Sequence, residues 1–252
     1  MDEQTPAVET LPTPSSLFTR ISNVFASPGE VFSELAVQPV QTSSWMIPLL
    51  LMIIMMVGTA LFMFSNETLR NQAMEKQHQS LQKMVDEGKL TQEQADQQEQ
   101  LVAGSKLVTI IAAGGALGMA VVIFFVIPFM LWICAKLFLH FGDGYLKIVE
   151  MYGLSSIIGF LGGIVTALMM NIFGTMYASP GAWLAIMQSY NPQNFVHTII
   201  SAINVFTLWQ VVIVGIGLAK VSKKETGSGM GLAFGLYVVL VLVIAGIAQM
   251  FK

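Results

Sequence analysis

The sequence predicts an all-α polytopic membrane protein. Its plan is five transmembrane helices, an N-terminal pair of interfacial amphipathic helices, and a helical hairpin inserted between spans one and two. Three observations carry this. The 252 residues are 54% hydrophobic and only 11% charged, against about 25% charged in soluble domains. Five apolar runs approach or exceed the roughly 20 residues a helix needs to cross a bilayer. The segments outside those runs carry helix signals rather than the marks of strands or loops.

Residues 1–16 are acidic and Pro-rich and read as a tail without a secretory signal. Residues 17–252 read as one membrane domain. The stretch FTRISNVFASPGEVFSEL opens it. Leu17, Phe18, Ile21, Val24 and Phe25 recur at helical spacing and predict one apolar stripe. Ser27, Pro28 and Glu30 predict the start of a second helix, a Ser-x-x-Glu capping box with Pro at the first position. Val31, Phe32, Leu35 and Ala36 form its apolar face. Each helix is too short to persist alone in water, so each must bury that face. Lipid headgroups and the inner ends of the spans are the nearby surfaces.

The spans are expected at about 45–64, 107–133, 151–170, 200–221 and 230–251. The second is longer than one bilayer width, which tilt or a kink at Pro128 would absorb. The polar insert 65–106 is Gln-rich and lacks Pro. Gly88 marks a helix stop, and Thr91 with Gln94 marks a restart, which gives a hairpin standing off the membrane. Asn66-Glu67-Thr68 matches a glycosylation acceptor, a pattern common by chance.

Orientation follows from short-loop cations. The third loop, about 171–198, has no Lys or Arg, whereas the fourth has Lys220, Lys223 and Lys224, and the second has Lys136 and Lys147. This places the N-terminus in the cytoplasm. It places the insert, the third loop and the C-terminus outside, although the insert itself carries five cations.

Catalytic groups are not evident. Lys136, Glu150 and Lys220 are expected at span ends, where long side chains snorkel, and Lys147 with Glu150 as a pair at helical spacing. Polar residues within spans, among them Asn204 and Gln210, suit hydrogen bonds between helices or, in a transporter, a substrate path. His140, Asp143 and Glu150 lack metal-ligand spacing. No catalytic, cofactor or metal site is expected. The lone Cys134 allows no internal disulfide, and the 17 methionines read as adaptable packing. Small residues at four-residue spacing (Gly114 and Gly118, Gly159 and Gly163, Gly227, Gly231 and Gly235) predict close helix contacts, within the chain or to a second copy. No basic cluster suggests nucleic acid.

Three stretches and the five-span layout resemble the bacterial branch of the Ypt-interacting-protein (Yip) domain family. They are VFASPGEVFSEL (24–35), FGDGYLKIVEMYGLSS (141–156) and VFTLWQVVIVGIGLAKVSKKETGSGMGLAFG (205–235). The resemblance implies an integral membrane protein with a cytosolic N-terminal region, here in a bacterial inner (cytoplasmic) membrane. The Asp-Leu-Tyr-Gly-Pro segment tied to the eukaryotic branch has no counterpart, which leaves a Rab-type GTPase partner without support. The expected partners are the lipid bilayer and other membrane proteins, as a homo- or hetero-oligomer. The functional expectation is a non-catalytic membrane scaffold or adaptor. A solute transporter or channel is the alternative, resting on the Gly and Pro interruptions of the spans.

Overall fold

A computed structural model describes residues 13–102 and 106–250, with side chains described for 13–100 and 108–247. It is helical, with no strand among the described residues beyond one isolated bridge. Two ten-residue helices come first, α1 (Leu17–Ala26) and α2 (Pro28–Val37). Then follow α3 (Ser43–Ser65), the hairpin α4 (Glu67–Asp86) and α5 (Gln92–Val102), α6 (Lys106–Phe138) and α7 (Tyr145–Phe173). Three shorter helices, α8 (Trp183–Ile186), α9 (Phe195–Ala202) and α10 (Val205–Val221), lead into α11 (Thr226–Met250). Four of these, α3, α6, α7 and α11, are long and apolar enough to cross a membrane, and α10 is a shorter apolar helix. Their outward faces are apolar, as at Ile54, Ile110, Leu168, Ile172 and Ile244. A surface of that kind suits lipid rather than water.

The fourth expected span is not continuous. It divides into α9 and the 17-residue α10 around Ile203 and Asn204. The Asn204 side chain accepts from the Phe206 and Thr207 amides and starts α10, a cap Asn is suited to make. The backbone of 203–205 pairs with 180–182 through Ala182 N–H to Ile203 O and Val205 N–H to Pro180 O. Gly181 permits this: a Cβ there would meet the Ile203 carbonyl and sit 2.8 Å from Asn204 Cα. Asn204 is thus a cap that also donates to Ser179.

The bundle packs through α3 against α6 and α7, and α10 against α7 and α11. Pro48 lies inside α3 and has no N–H for the Ser44 carbonyl four residues back. That carbonyl faces Gly153, where a Cβ would stand 3.1 Å from it and 2.9 Å from Trp45 Cα. Backbone therefore meets backbone at this crossing. The α6 helix runs through Pro128 for 33 residues.

The insert folds back at Gly88, which takes φ +70. Thr91 and Gln94 make the reciprocal capping bonds, and Leu69, Leu81 and Ala95 are buried. Gln72 donates to Gly174 O and accepts from Met176 N, so α4 is tied to the segment after α7. At the other end, α2 packs on α10.

Candidate functional site

The most organised chemistry in the molecule is where the N-terminal helices meet the bundle. Arg20 of α1 is 1% exposed, and Glu150 and Lys147 of α7 are 1% and 6% exposed. The Arg20 guanidinium donates through Nη2 and Nε to Glu34 Oε1 at 2.7 and 3.2 Å. Its Nη1 donates to Gln41 Oε1 at 2.9 Å and Ser44 Oγ at 3.0 Å, with Glu150 Oε1 at 3.7 Å. Glu150 Oε1 also accepts from the Gln41 amide at 3.0 Å, and Oε2 accepts from Lys147 Nζ at 3.1 Å. The other two Nζ protons go to Leu35 O at 2.9 Å and Gln38 O at 2.8 Å.

Each group has a reason to be there. Lys147 caps the carbonyl end of α2, where the helix dipole favours a cation. All three of its donors are used. Two cations and two carboxylates balance in charge. Removing them from water costs several kcal/mol per ion, which only complete pairing offsets. Burial alone would raise the Glu34 carboxyl. The hydroxyl and amide of Ser15, and then Arg20, more than offset this and hold it below the ordinary carboxylate value. Around the ions lies an apolar seal of Val24, Val31, Phe32 and Leu35, each at most 3% exposed. A Cβ at Gly217 of α10 would stand 3.4 Å from the Phe32 ring and 2.6 Å from Met151 Sδ. That glycine is the notch into which α2 and α7 settle.

A family profile for the Yip1 domain matches residues 22–248, nearly the whole chain. The chain belongs to the Yip1 domain family. Comparisons with curated proteins and with solved structures gave no match. The three stretches that carried the family likeness in the sequence converge in this Yip1 domain. The first supplies Phe32, Glu34 and Leu35, the second Lys147, Glu150 and Met151, and the third Gly217 and Lys220. A Cβ at Gly29 would stand 3.7 Å from Lys220 Cε.

Several sequence expectations are corrected here. Lys147 and Glu150 do pair at helical spacing, but Glu150 is not a snorkelling span-end residue; both are buried, with Arg20, in the network. Phe18 is 80% exposed and Phe25 partly exposed, with its ring against Trp209. The buried face of α1 centres instead on Arg20 and Val24. Apolar spacing alone passes over Arg20, which has fixed partners inside. Ile21 packs at the edge of the core. Ser27 makes no side-chain cap, so the box with Glu30 does not form. Ser27 ends α1 and begins α2 at once; its N–H bonds Asn23 O and its carbonyl accepts from Glu30 N. Pro28 does stand at the first position.

The glycine prediction is also redistributed. Among the described residues, a Cβ at Gly114, Gly118, Gly227, Gly231 or Gly235 would meet no atom of another helix within 4 Å. At Gly159 it would lie 2.5 Å from Gln210 Oε1, and at Gly163 2.9 Å from Met55 Cγ. Gly159 and Gly163 are therefore close helix contacts as expected, and equally close ones at Gly153, Gly162, Gly215, Gly217 and Gly229 lay outside the four-residue pattern. Along α11 the approach is at Gly229, where a Cβ would meet the Gly215 carbonyl and stand 2.6 Å from Ala219 N. Spacing identifies a small-residue face without saying which helix arrives at it. Gln210 lines two cavities, one of about 420 Å³ beside α3 and one of about 240 Å³ beside α6 and α11. Tyr152, its hydrogen-bond partner, lines both as well.

Proposed function

We propose that this Yip1 domain protein is a non-catalytic membrane scaffold or adaptor. Its N-terminal helix pair is a recruitment platform fixed to the bundle. The observation that carries this reading is the network of buried Arg20, Lys147 and Glu150 with half-buried Glu34. Apolar faces alone allow a short amphipathic helix to slide. Four ions with defined partners permit one position, so the outward face of α1 is presented in a fixed orientation. Register and specificity are the best-attested use of buried polar groups.

The topology we propose has five crossings. The α2 helix meets the Lys220 end of α10, while α4 meets the segment after α7. The two ends of α10 then lie on opposite sides, and its shortness is made up by the 180–205 segment. The N-terminus and the turn at Lys220 to Lys224 are cytoplasmic by the cation rule, and the host membrane is the bacterial inner membrane. Single cysteines at Ser189 and Lys223 should react with an impermeant thiol reagent from opposite sides. Equal labelling of both in intact cells would overturn this arrangement.

The platform is tested with a photo-crosslinking residue at Phe18 or Ser22, both exposed. Discrete protein adducts that disappear when Lys147 is replaced by Met support an adaptor. Adducts to lipid alone, or adducts indifferent to Lys147, argue against it. The transporter reading draws on the interrupted α9–α10 pair and on the cavity that reaches Gln210. Labelling of Gln210→Cys from both aqueous sides would favour it over the scaffold.

A further inference from the structure

The cavity beside α3 is lined by Met52, Met55, Met56 and Met63 on one side and by α7 from Tyr152 to Thr166 on the other, with Gln210 of α10 at its inner end. Its position can be read from the helix contacts. Gly153 meets Trp45 and Gly163 meets Met55, so α3 and α7 run in parallel. Gly159 meets Gln210, which sets the inner end near Met52, close to the middle of α3. The outer end, at Met63, is two residues short of the end of α3, where the polar hairpin begins. From Met52 to Met63 is roughly 16 Å at the helical rise, about half of a ~30 Å hydrocarbon core. A volume of about 420 Å³ over that length gives a cross-section of roughly 25 Å². The space is thus a narrow slot, one leaflet deep and open along one side.

Its lining suits one kind of occupant. The walls are chiefly apolar, and four are methionines, whose flexible thioethers adapt to a mobile chain. Its polar groups are few: Tyr152 pairs with Gln210, Ser156 donates to Gly153 O, and Thr59 and Thr166 are the other two. No charged side chain lines the slot. An open apolar slot of this size at this depth would not hold ordered water, because water needs two to four polar partners. Its depth and apolar lining suit a methylene chain. We propose that the slot is a binding site for one acyl chain of a membrane phospholipid from the leaflet on the hairpin side. The headgroup lies level with the α3–α4 junction, and the chain end stops at the Tyr152–Gln210 pair. This is a lipid-binding activity beyond the scaffold reading and does not depend on it. It would make the contact of α3 with α7 sensitive to the bilayer around it.

The experiment uses the full chain. Wild-type protein is placed in nanodiscs of phosphatidylethanolamine and phosphatidylglycerol that carry a phospholipid with a diazirine midway along one acyl chain. After crosslinking, adducts should concentrate on the slot-facing residues Met52, Met55, Met56, Thr59 and Met63 of α3 and Ser156, Phe160 and Thr166 of α7. Adducts confined to outward residues such as Ile54, which is 64% exposed, would overturn the proposal. Native mass spectrometry of detergent-washed protein should show one retained phospholipid per chain. Thr59→Phe, which fills the slot, should reduce the retained fraction at least tenfold, whereas Ile54→Phe should not. Equal retention in Thr59→Phe and wild type, or no retained lipid in folded wild type, would overturn it. So would retention of an isoprenoid or ring ligand in place of phospholipid. If Thr59→Phe does not fold, the wild-type crosslink map still decides.

Discussion

Replacing Lys147 by Met is the sharpest perturbation of the junction. It retains much of the side-chain volume and removes three donors together, those to the carbonyls of Leu35 and Gln38 and to one oxygen of Glu150. Glu150 keeps the Gln41 amide at 3.0 Å and Arg20 at 3.7 Å, so it remains buried as the less well-paired carboxylate. Breaking a buried pair from one side costs about 3–5 kcal/mol, roughly two to three and a half powers of ten in an opening equilibrium. The apolar seal sets the other side of the comparison. Val24, Val31, Phe32 and Leu35 contribute about 6–12 kcal/mol at about 1.5–3 each, an upper estimate. The pair should therefore stay docked for most of the time and open far more often. Amide exchange in micelles reads this directly, because a ten-residue helix is unprotected once undocked. Exchange at Val31 to Leu35 should accelerate at least a hundredfold, with α10 and α11 unchanged. Adding Glu150→Leu removes the orphaned charge, leaves Arg20 with Glu34, and should restore part of the protection. A change in α2 exchange of less than threefold in the single variant would refute the reasoning.

The apolar seal is tested by Phe32→Ala, which should lower stability in detergent by about 3–5 kcal/mol. Phe18→Ala, on a side chain 80% exposed, should be nearly neutral; thermal unfolding compares the two. Glu34 is held below the ordinary carboxylate value, so its contribution is present above the unfolded value of about 4.3. That contribution is lost as pH falls through the lower folded value. Protease protection of residues 17–37 should accordingly be flat from pH 8 to pH 5 and fall only below that range. Protection lost between pH 7 and pH 6 would implicate a different group. Gly229→Leu should disrupt α10–α11 packing, because a side chain there meets backbone that cannot move aside. Gly231→Leu, facing open space in this chain, should leave monomer stability unchanged and shift only the oligomer distribution, if either. Melting temperature and size-exclusion profile measure both variants.

What was legible in the sequence was what rests on local chemistry. Length and hydropathy locate α3, α6, α7 and α11, because a helix in lipid must satisfy its backbone internally and be apolar outside. Gly88, Thr91 and Gln94 foretell the hairpin, since each acts within four residues. Hidden features depend on residues far apart in the chain. Lys147 and Glu150 lie three apart and read as an ordinary surface pair; only the arrival of α2, more than a hundred residues earlier, buries them. Arg20 looks like the polar face of an amphipathic helix until Glu34, Gln41, Ser44 and Glu150 surround it. The break at Asn204 was overlooked because the hydropathy of 195–221 continues through it, while the bridge from Gly181 that fixes it comes from another loop. One clue was available and passed over. Leu35 and Gln38 stand at the C-terminal end of a short helix whose last turn has no basic residue. A helix end near the membrane with no cation of its own needs one from elsewhere. The third stretch brings Lys220 to the other end of α2, near Gly29. The second stretch carries one lysine, Lys147, and that residue makes the contact. The likeness was therefore informative in a way that neither stretch shows alone: the stretches lie together in space because one carries the charge that ends the other's helix.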